Sequence, residues 1–436
     1  MLETPLTRSL DFKMQTNIIP HLFRTEYSKL VAVLTRSFGI RHIELAEDIA
    51  SETFLSALNT WPYKGTPPNP TAWLYTVAKN KIKNHLTRNN RFRINISENL
   101  NQEINFDEIS IDFSDQNIAD SQLQMLFAIC HPSISAESQI CLALRILCGF
   151  GLNEIADAFL SNKETIHKRL QRAKEKLNVE QIKLEMPGDS EINERLETVL
   201  QTIYLLFSEG YYSESNNAIV RKELCVEAIN LTYLLLNNPL TKNHATNALM
   251  SLMCFHSSRL DARMSDSGSI ILYEDQNRKL WDTELIEKGF YYLQQSSKWE
   301  VTSTYYIEAS IAYWHTVDNS KPEKWISILR LYDALLSVHS SQVVALNRIW
   351  AFSKVHGNVA AIEEAKKLEL KTNQFYFMLL AELYKQIDST ESMACLTQAF
   401  NLCKTDSEKE VINKKIEELK CLNEYSVVSI PNRCRA

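Results

Sequence analysis

Hydrophobic positions recur along this chain with helical spacing, and strand-like alternation is absent. From His21 to Phe38, Leu22, Leu30, Val33, Leu34 and Phe38 predict one helix, which Gly39 ends. From Glu44 to Trp61, Leu45, Ile49, Phe54, Leu55 and Leu58 predict a second helix with one buried side. Its opposite side carries Glu44, Glu47, Asp48 and Glu52. This acidic side fits either a solvated face or a docking surface for a basic partner. PYKGTPPNP, Pro62 to Pro70, reads as a loop. In the helix that follows, Leu74, Val77, Ala78 and Ile82 form the apolar arc, with Thr76, Lys79, Asn80, Lys83 and Thr87 broadly opposite.

Leu123 to Leu177 predicts a four-helix unit with Leu142, Ile146 and Leu147 on its core side. Gly149 and Gly151 break the chain before NEIADAFL. The last helix is SNKETIHKRLQRAKEKL. Ser161 and Glu164 have the spacing of a capping box. Ile166, Leu170, Ala173 and Leu177 make its dry back, while Lys168, Gln171 and Arg172 fall on other sides and Thr165 and His167 lie near the first turn. A short helix, a tight turn and a basic second helix predict a helix-turn-helix able to enter a DNA major groove. After MPGDS, Met186 to Ser190, helix-length segments run to the end of the chain. ALNRIWAFSKVHGNVAAIEEAKKL and LLAELYKQIDSTESMACLTQAFNL resemble degenerate tetratricopeptide hairpins, an architecture that binds peptides or proteins. The expected fold is all-α. A tail (1–20) precedes domains at 21–93, 123–178 and 191–436, with linkers at 94–122 and 179–190.

Charge sharpens this picture. The 436 residues carry a net charge of −6, so any affinity for nucleic acid must come from local patches. Tyr63 to Ser97 contains no acid and seven cations: Lys64, Lys79, Lys81, Lys83, Arg88, Arg91 and Arg93. Beside Tyr63, Trp73 and Tyr75, these suit single-stranded nucleic acid, with cations for phosphates and rings for unstacked bases. Trp73 also fits a core position. Ile94 to Gln122 reverses the sign, with seven acids and no base. It reads as a tether of up to roughly 100 Å when extended. Such a tether could repel DNA, occupy a basic channel, or simply connect. Lys163, Lys168, Arg169, Arg172, Lys174 and Lys176 form a second basic patch against Glu164 and Glu175.

Nine cysteines without regular spacing argue for reduced thiols in a cytoplasmic protein. No signal peptide or membrane span is expected. HExxH, GxxxxGK[ST], GxSxG and GxGxxG are absent, and His256 and His315 read as packed core residues. No catalytic residue, metal or cofactor is expected.

LAEDIASETFLSALNTW, PNPTAWLYTVAKNKIKNHL and ESQICLALRILCGFGLNEIADAFLSNKETIHKRLQRAKEKL together resemble a sigma-70-type RNA polymerase sigma factor of the extracytoplasmic function group. The first two match its second conserved region and the third its fourth. LLFSEGYY, RKELCVEAINL, YEDQNRKLWD, LYDALL and VVALNRIWA are similar to the long tetratricopeptide-like extension of one subgroup. The resemblance implies that Glu47, Asp48, Glu52 and Phe54 dock on core RNA polymerase through its β′ and β subunits. It implies that Tyr63, Lys64, Asn69, Trp73, Lys79, Asn80, Lys83 and Arg88 take the −10 element of promoter DNA. Lys163, Glu164, Thr165, His167, Lys168, Gln171 and Arg172 would read the −35 element, and the acidic linker would thread the polymerase channel that later carries RNA. The C-terminal extension would bind an unknown protein or peptide and regulate the factor, with no membrane partner. Recognition helices of this group often carry more arginine, and Gly151 stands where a Thr or Ser cap is usual. The alternatives are a stand-alone helix-turn-helix regulator with a peptide-binding solenoid, and an interaction scaffold.

Overall fold

Apolar side chains at helical spacing place three helices in the first 94 residues. In the computed structural model these are α1 (Pro5–Phe38), α2 (Ile43–Lys64) and α3 (Pro70–Ile94). The structure describes residues 5–94, 111–188, 190–212, 218–263, 271, 273–298, 303–318, 321, 323–339, 341–403 and 406–428. Gly39, at φ 87, turns the chain out of α1, and Gly65, at φ 83, turns it out of α2. The helix α2 runs through Pro62 to Lys64, so the expected loop shrinks to 65–69. Tyr27, Leu30, Leu34, Ile43, Phe54, Trp61, Leu74 and Ala78 are buried where the three helices meet.

The next elements are α4 (Asp115–Ile129), α5 (Ala136–Leu142), a π turn (Ala143–Leu147), α6 (Leu152–Ala158) and α7 (Lys163–Val179). The expected tether at 94–122 is therefore helical from Asp115 on. Ser114 caps that helix by accepting from the Asn117 N–H. Residues 95–110 of the tether lie outside the described residues. The helices α8 (Ile192–Tyr212), α9 (Ala218–Leu236), α10 (His244–Ser257) and α11 (Leu260–Arg263) continue the same unit. Thr202 of α8 donates to Gln139 of α5 at 2.7 Å, and Arg195 donates to the Phe127 carbonyl of α4 at 2.7 Å. The first compact unit spans Met1–Thr283, and the division falls there, not at 179–190. The physical reason is apolar: Leu196, Val199, Leu200, Ile203 and Leu206 of α8 are buried.

The second unit, Glu284–Ala436, contains α12 (Thr283–Ser296) from its second residue, α13 (Thr304–Thr316), α14 (Glu323–Val338), α15 (Gln342–His356), α16 (Asn358–Lys366), α17 (Gln374–Tyr384), α18 (Ser389–Leu402) and α19 (Asp406–Val428). From α13 on, each helix packs on the next in sequence. One core holds Leu346 and Ile349 of α15, Ala361 and Ile362 of α16, Leu380 of α17, Leu396 and Ala399 of α18, and Ile412 of α19. The alanines allow close helix approach. Side chains of Ser303, Asn373 and Asp388 cap α13, α17 and α18. No strand occurs among the described residues, so the protein is all-α.

Candidate nucleic-acid and polymerase interfaces

A short turn joins α6 to α7. Glu154 accepts from the Gly151 N–H at 2.6 Å and so closes the start of α6 without a Ser or Thr cap. Leu160 takes φ 47 in the turn. The cap of α7 is Asn162, whose side chain accepts from the Thr165 N–H at 2.8 Å. The expected Ser161–Glu164 box is displaced by one residue, because the left-handed Leu160 brings Asn162 to the extended cap position. Ile166, Leu170, Ala173 and Leu177 are buried as the periodicity requires. Lys163, Glu164, Thr165, His167, Lys168, Gln171 and Arg172 are all exposed. The Lys168–Glu164 pair at 2.6 Å is solvated and contributes little.

Two cations expected in this patch point elsewhere. Arg169 pairs with Glu137 of α5 at 3.0 Å. Lys174 reaches Glu47 of α2 at 2.5 Å, and the same carboxylate takes Arg145 at 2.9 Å. Glu47 is thus buried between two cations, and it does not stand on the outer acidic face with Asp48 and Glu52. Phe54 is also buried, edge-on to Phe23 at 4.9 Å. In their place Leu55 and Leu58, expected inside, are exposed. The outer face of α2 reads Glu44, Asp48, Glu52, Leu55 and Leu58. Glu52 also meets Lys81 of α3 at 3.2 Å.

On α3, Lys79, Asn80 and Lys83 are exposed, as are Tyr63, Lys64 and Asn69 before it. Asn69 has a structural task too. Its side chain accepts from the Ala72 N–H at 3.0 Å, and Pro70 fills the first helical position, where no N–H is needed. Trp73 is half-buried, T-shaped against Trp61 at 5.3 Å. Tyr75 donates to Glu26 at 2.5 Å and stacks on Phe113. Burial raises the Tyr75 phenol first, and the Glu26 carboxylate raises it further. The Arg88 side chain lies outside those described.

The residues that join these parts are distant in sequence. Arg24 of α1 pairs with Glu154 of α6 at 2.6 Å and with Glu223 of α9 at 3.0 Å, and it lies 4.3 Å over the Phe150 ring. Gly149 takes φ 71, a conformation that favours glycine, where the chain passes Tyr27. Such partners lie more than a hundred positions apart, and no local pattern marks them.

The model of sigma-70 region 2 matches residues 22–92, which is the α1–α3 unit with the exposed acidic and basic faces. A protein of Rhizobium meliloti (strain 1021), described as uncharacterized, is 32% identical over 387 residues, covering 87% of this chain and 91% of its own. The region 2 match supports a sigma-70 family sigma factor. A sigma-70 region 2 implies binding to core RNA polymerase in transcription initiation. Residues 195–297 of this sigma factor match a family of unknown function, DUF6596. No solved structure matches the chain significantly. Among the described residues no helix is long and apolar enough to cross a membrane.

Proposed function

We propose that this sigma factor belongs to the extracytoplasmic function group and directs core polymerase to its promoters from the cytoplasm. The exposure pattern of α7 carries the reading: seven side chains suited to base and phosphate contacts are exposed, and Ile166, Leu170, Ala173 and Leu177 are buried. In this reading α7 enters the major groove at the −35 element. Tyr63, Lys64, Asn69, Trp73, Lys79, Asn80, Lys83 and Arg88 take the −10 element as it opens.

The outer face of α2, with Asp48, Glu52, Leu55 and Leu58, docks on the β′ subunit. An acidic stripe beside exposed leucines suits a basic amphipathic partner. Glu47 and Phe54 leave this surface and hold it from behind. The region 2 match favours this reading over a stand-alone repressor, which needs no polymerase-docking helix.

The helices after α7 regulate the factor. The supporting contact is Arg24, which joins α1, α6 and α9 through two carboxylates. The hairpins α15–α16 and α17–α18 form a tetratricopeptide-like surface for a protein or peptide. Reconstitution tests the reading. Purified chain plus core polymerase should give promoter-specific transcripts on a genomic library template. Absence of both core binding and specific transcripts would reject it.

A further inference from the structure

The residues just before α4 lie against α3. The Phe113 ring stacks on Tyr75 with centroids 4.5 Å apart and planes 12° from parallel. Lys79 Nζ lies 5.5 Å from the Phe113 centroid. The Asp112 carboxylate accepts from the Ser114 N–H at 2.9 Å and from its hydroxyl at 2.8 Å. Its pKa is held below the usual range by those hydrogen bonds first, and also by the charge of Lys79. Behind the rings, the bond from Tyr75 to Glu26 fixes the phenol plane. On the other side, Arg36 of α1 donates to Asn117 of α4 at 2.8 Å, which holds the segment in place.

A nucleotide offers a flat ring and a negative group a few ångströms away. Phe113 offers such a ring to Tyr75 and Lys79, and the adjacent Asp112 carries a carboxylate. We propose that Asp112–Phe113 is a built-in stand-in for one nucleotide of single-stranded DNA, so that strand capture on α3 requires this segment to leave. The proposal rests on the reading of α3 as the strand-capturing helix. It explains why an acidic segment is folded onto the basic face of its own chain.

Competition of this kind multiplies the intrinsic affinity by the open fraction. A stacked pair that holds the segment closed about four-fifths of the time would weaken DNA binding about five-fold. The test uses the full chain and fluorescence anisotropy at low salt, with labelled oligo-dT and with a mixed-sequence duplex. Phe113→Ala should tighten oligo-dT binding about five-fold and leave duplex binding unchanged. Phe113→Trp, which keeps a ring, should bind as the unmodified chain does. Adding Tyr75→Leu to Phe113→Ala should remove the gain, with circular dichroism showing the helices intact. Equal or weaker oligo-dT binding by Phe113→Ala overturns the stand-in while leaving α3 as a DNA surface. No oligo-dT binding by any of these chains overturns the α3 reading, and the stand-in with it.

Discussion

Glu47 shows how one side chain decides between two surfaces. Its side chain is 7% exposed and faces Lys174, at 15%, and Arg145, at 25%. Removing one member of a buried pair leaves the others uncompensated, at a cost of about 3–5 kcal/mol for full burial. The cations here keep some water, so Glu47→Gln should lower unfolding stability by about 2 kcal/mol. Urea denaturation followed by circular dichroism measures this. An unchanged midpoint would show that the three charges are independent. Thiols give a second residue-scale expectation. Burial pushes Cys130 up to about 12 and Cys395 up to about 11, and it pushes Cys148 well above the usual thiol value. The thiolate is the reactive form, and a raised pKa removes it below that pH. Among the described cysteines, Cys421 is the exposed one. Iodoacetamide near pH 8 should therefore modify Cys421 before Cys130 and Cys148, which should react only on unfolding. Peptide mapping by mass spectrometry reads the order.

At the scale of elements, α7 was legible from its sequence because a period of 3.6 with four apolar residues admits one buried side. The structure adds that its patch is thinner than the count of cations suggests, since Arg169 and Lys174 bind acids within the protein. Taking one cation away from a phosphate should lower the salt dependence of duplex binding by about one unit of slope. Lys163→Ala should do so on promoter and non-promoter duplexes alike, whereas Lys174→Ala should leave the slope unchanged. Anisotropy at several salt concentrations separates the two. The face of α2 was less legible. Leu55 and Leu58 continue the apolar stripe in sequence, yet they emerge at the surface, while Glu47 goes in. A carboxylate goes inside only when distant cations meet it, and Arg145 and Lys174 are supplied by the fold. The start of α4 was hidden for a related reason: acidic composition masked Ile118, which is buried, and Ser114, which caps.

At the scale of the molecule, the boundary at Thr283 changes what a truncation means. Cutting after Pro187 would remove α8, and with it Leu196, Val199, Leu200, Ile203 and Leu206, all buried in the first unit. Each buried aliphatic side chain is worth roughly 1.5–3 kcal/mol. Together they rival the usual net stability of a domain, about 5–15 kcal/mol. The cut would also strip the Thr202–Gln139 and Arg195–Phe127 hydrogen bonds from α4 and α5. A chain ending at Pro187 should therefore lack a cooperative urea transition. Any change in its promoter activity would report unfolding and not regulation. A chain ending at Thr283 keeps the whole first unit and should unfold in one transition. Regulation by the second unit then has a clean test. Transcript yield from core polymerase should differ between the chain ending at Thr283 and the full chain, and equal yields would remove Glu284–Ala436 from control of initiation. If only the cut at Pro187 alters transcription, the helices α8 to α11 serve as a structural part of the sigma core. The Arg24–Glu223 pair would then be a packing contact and not a regulatory one.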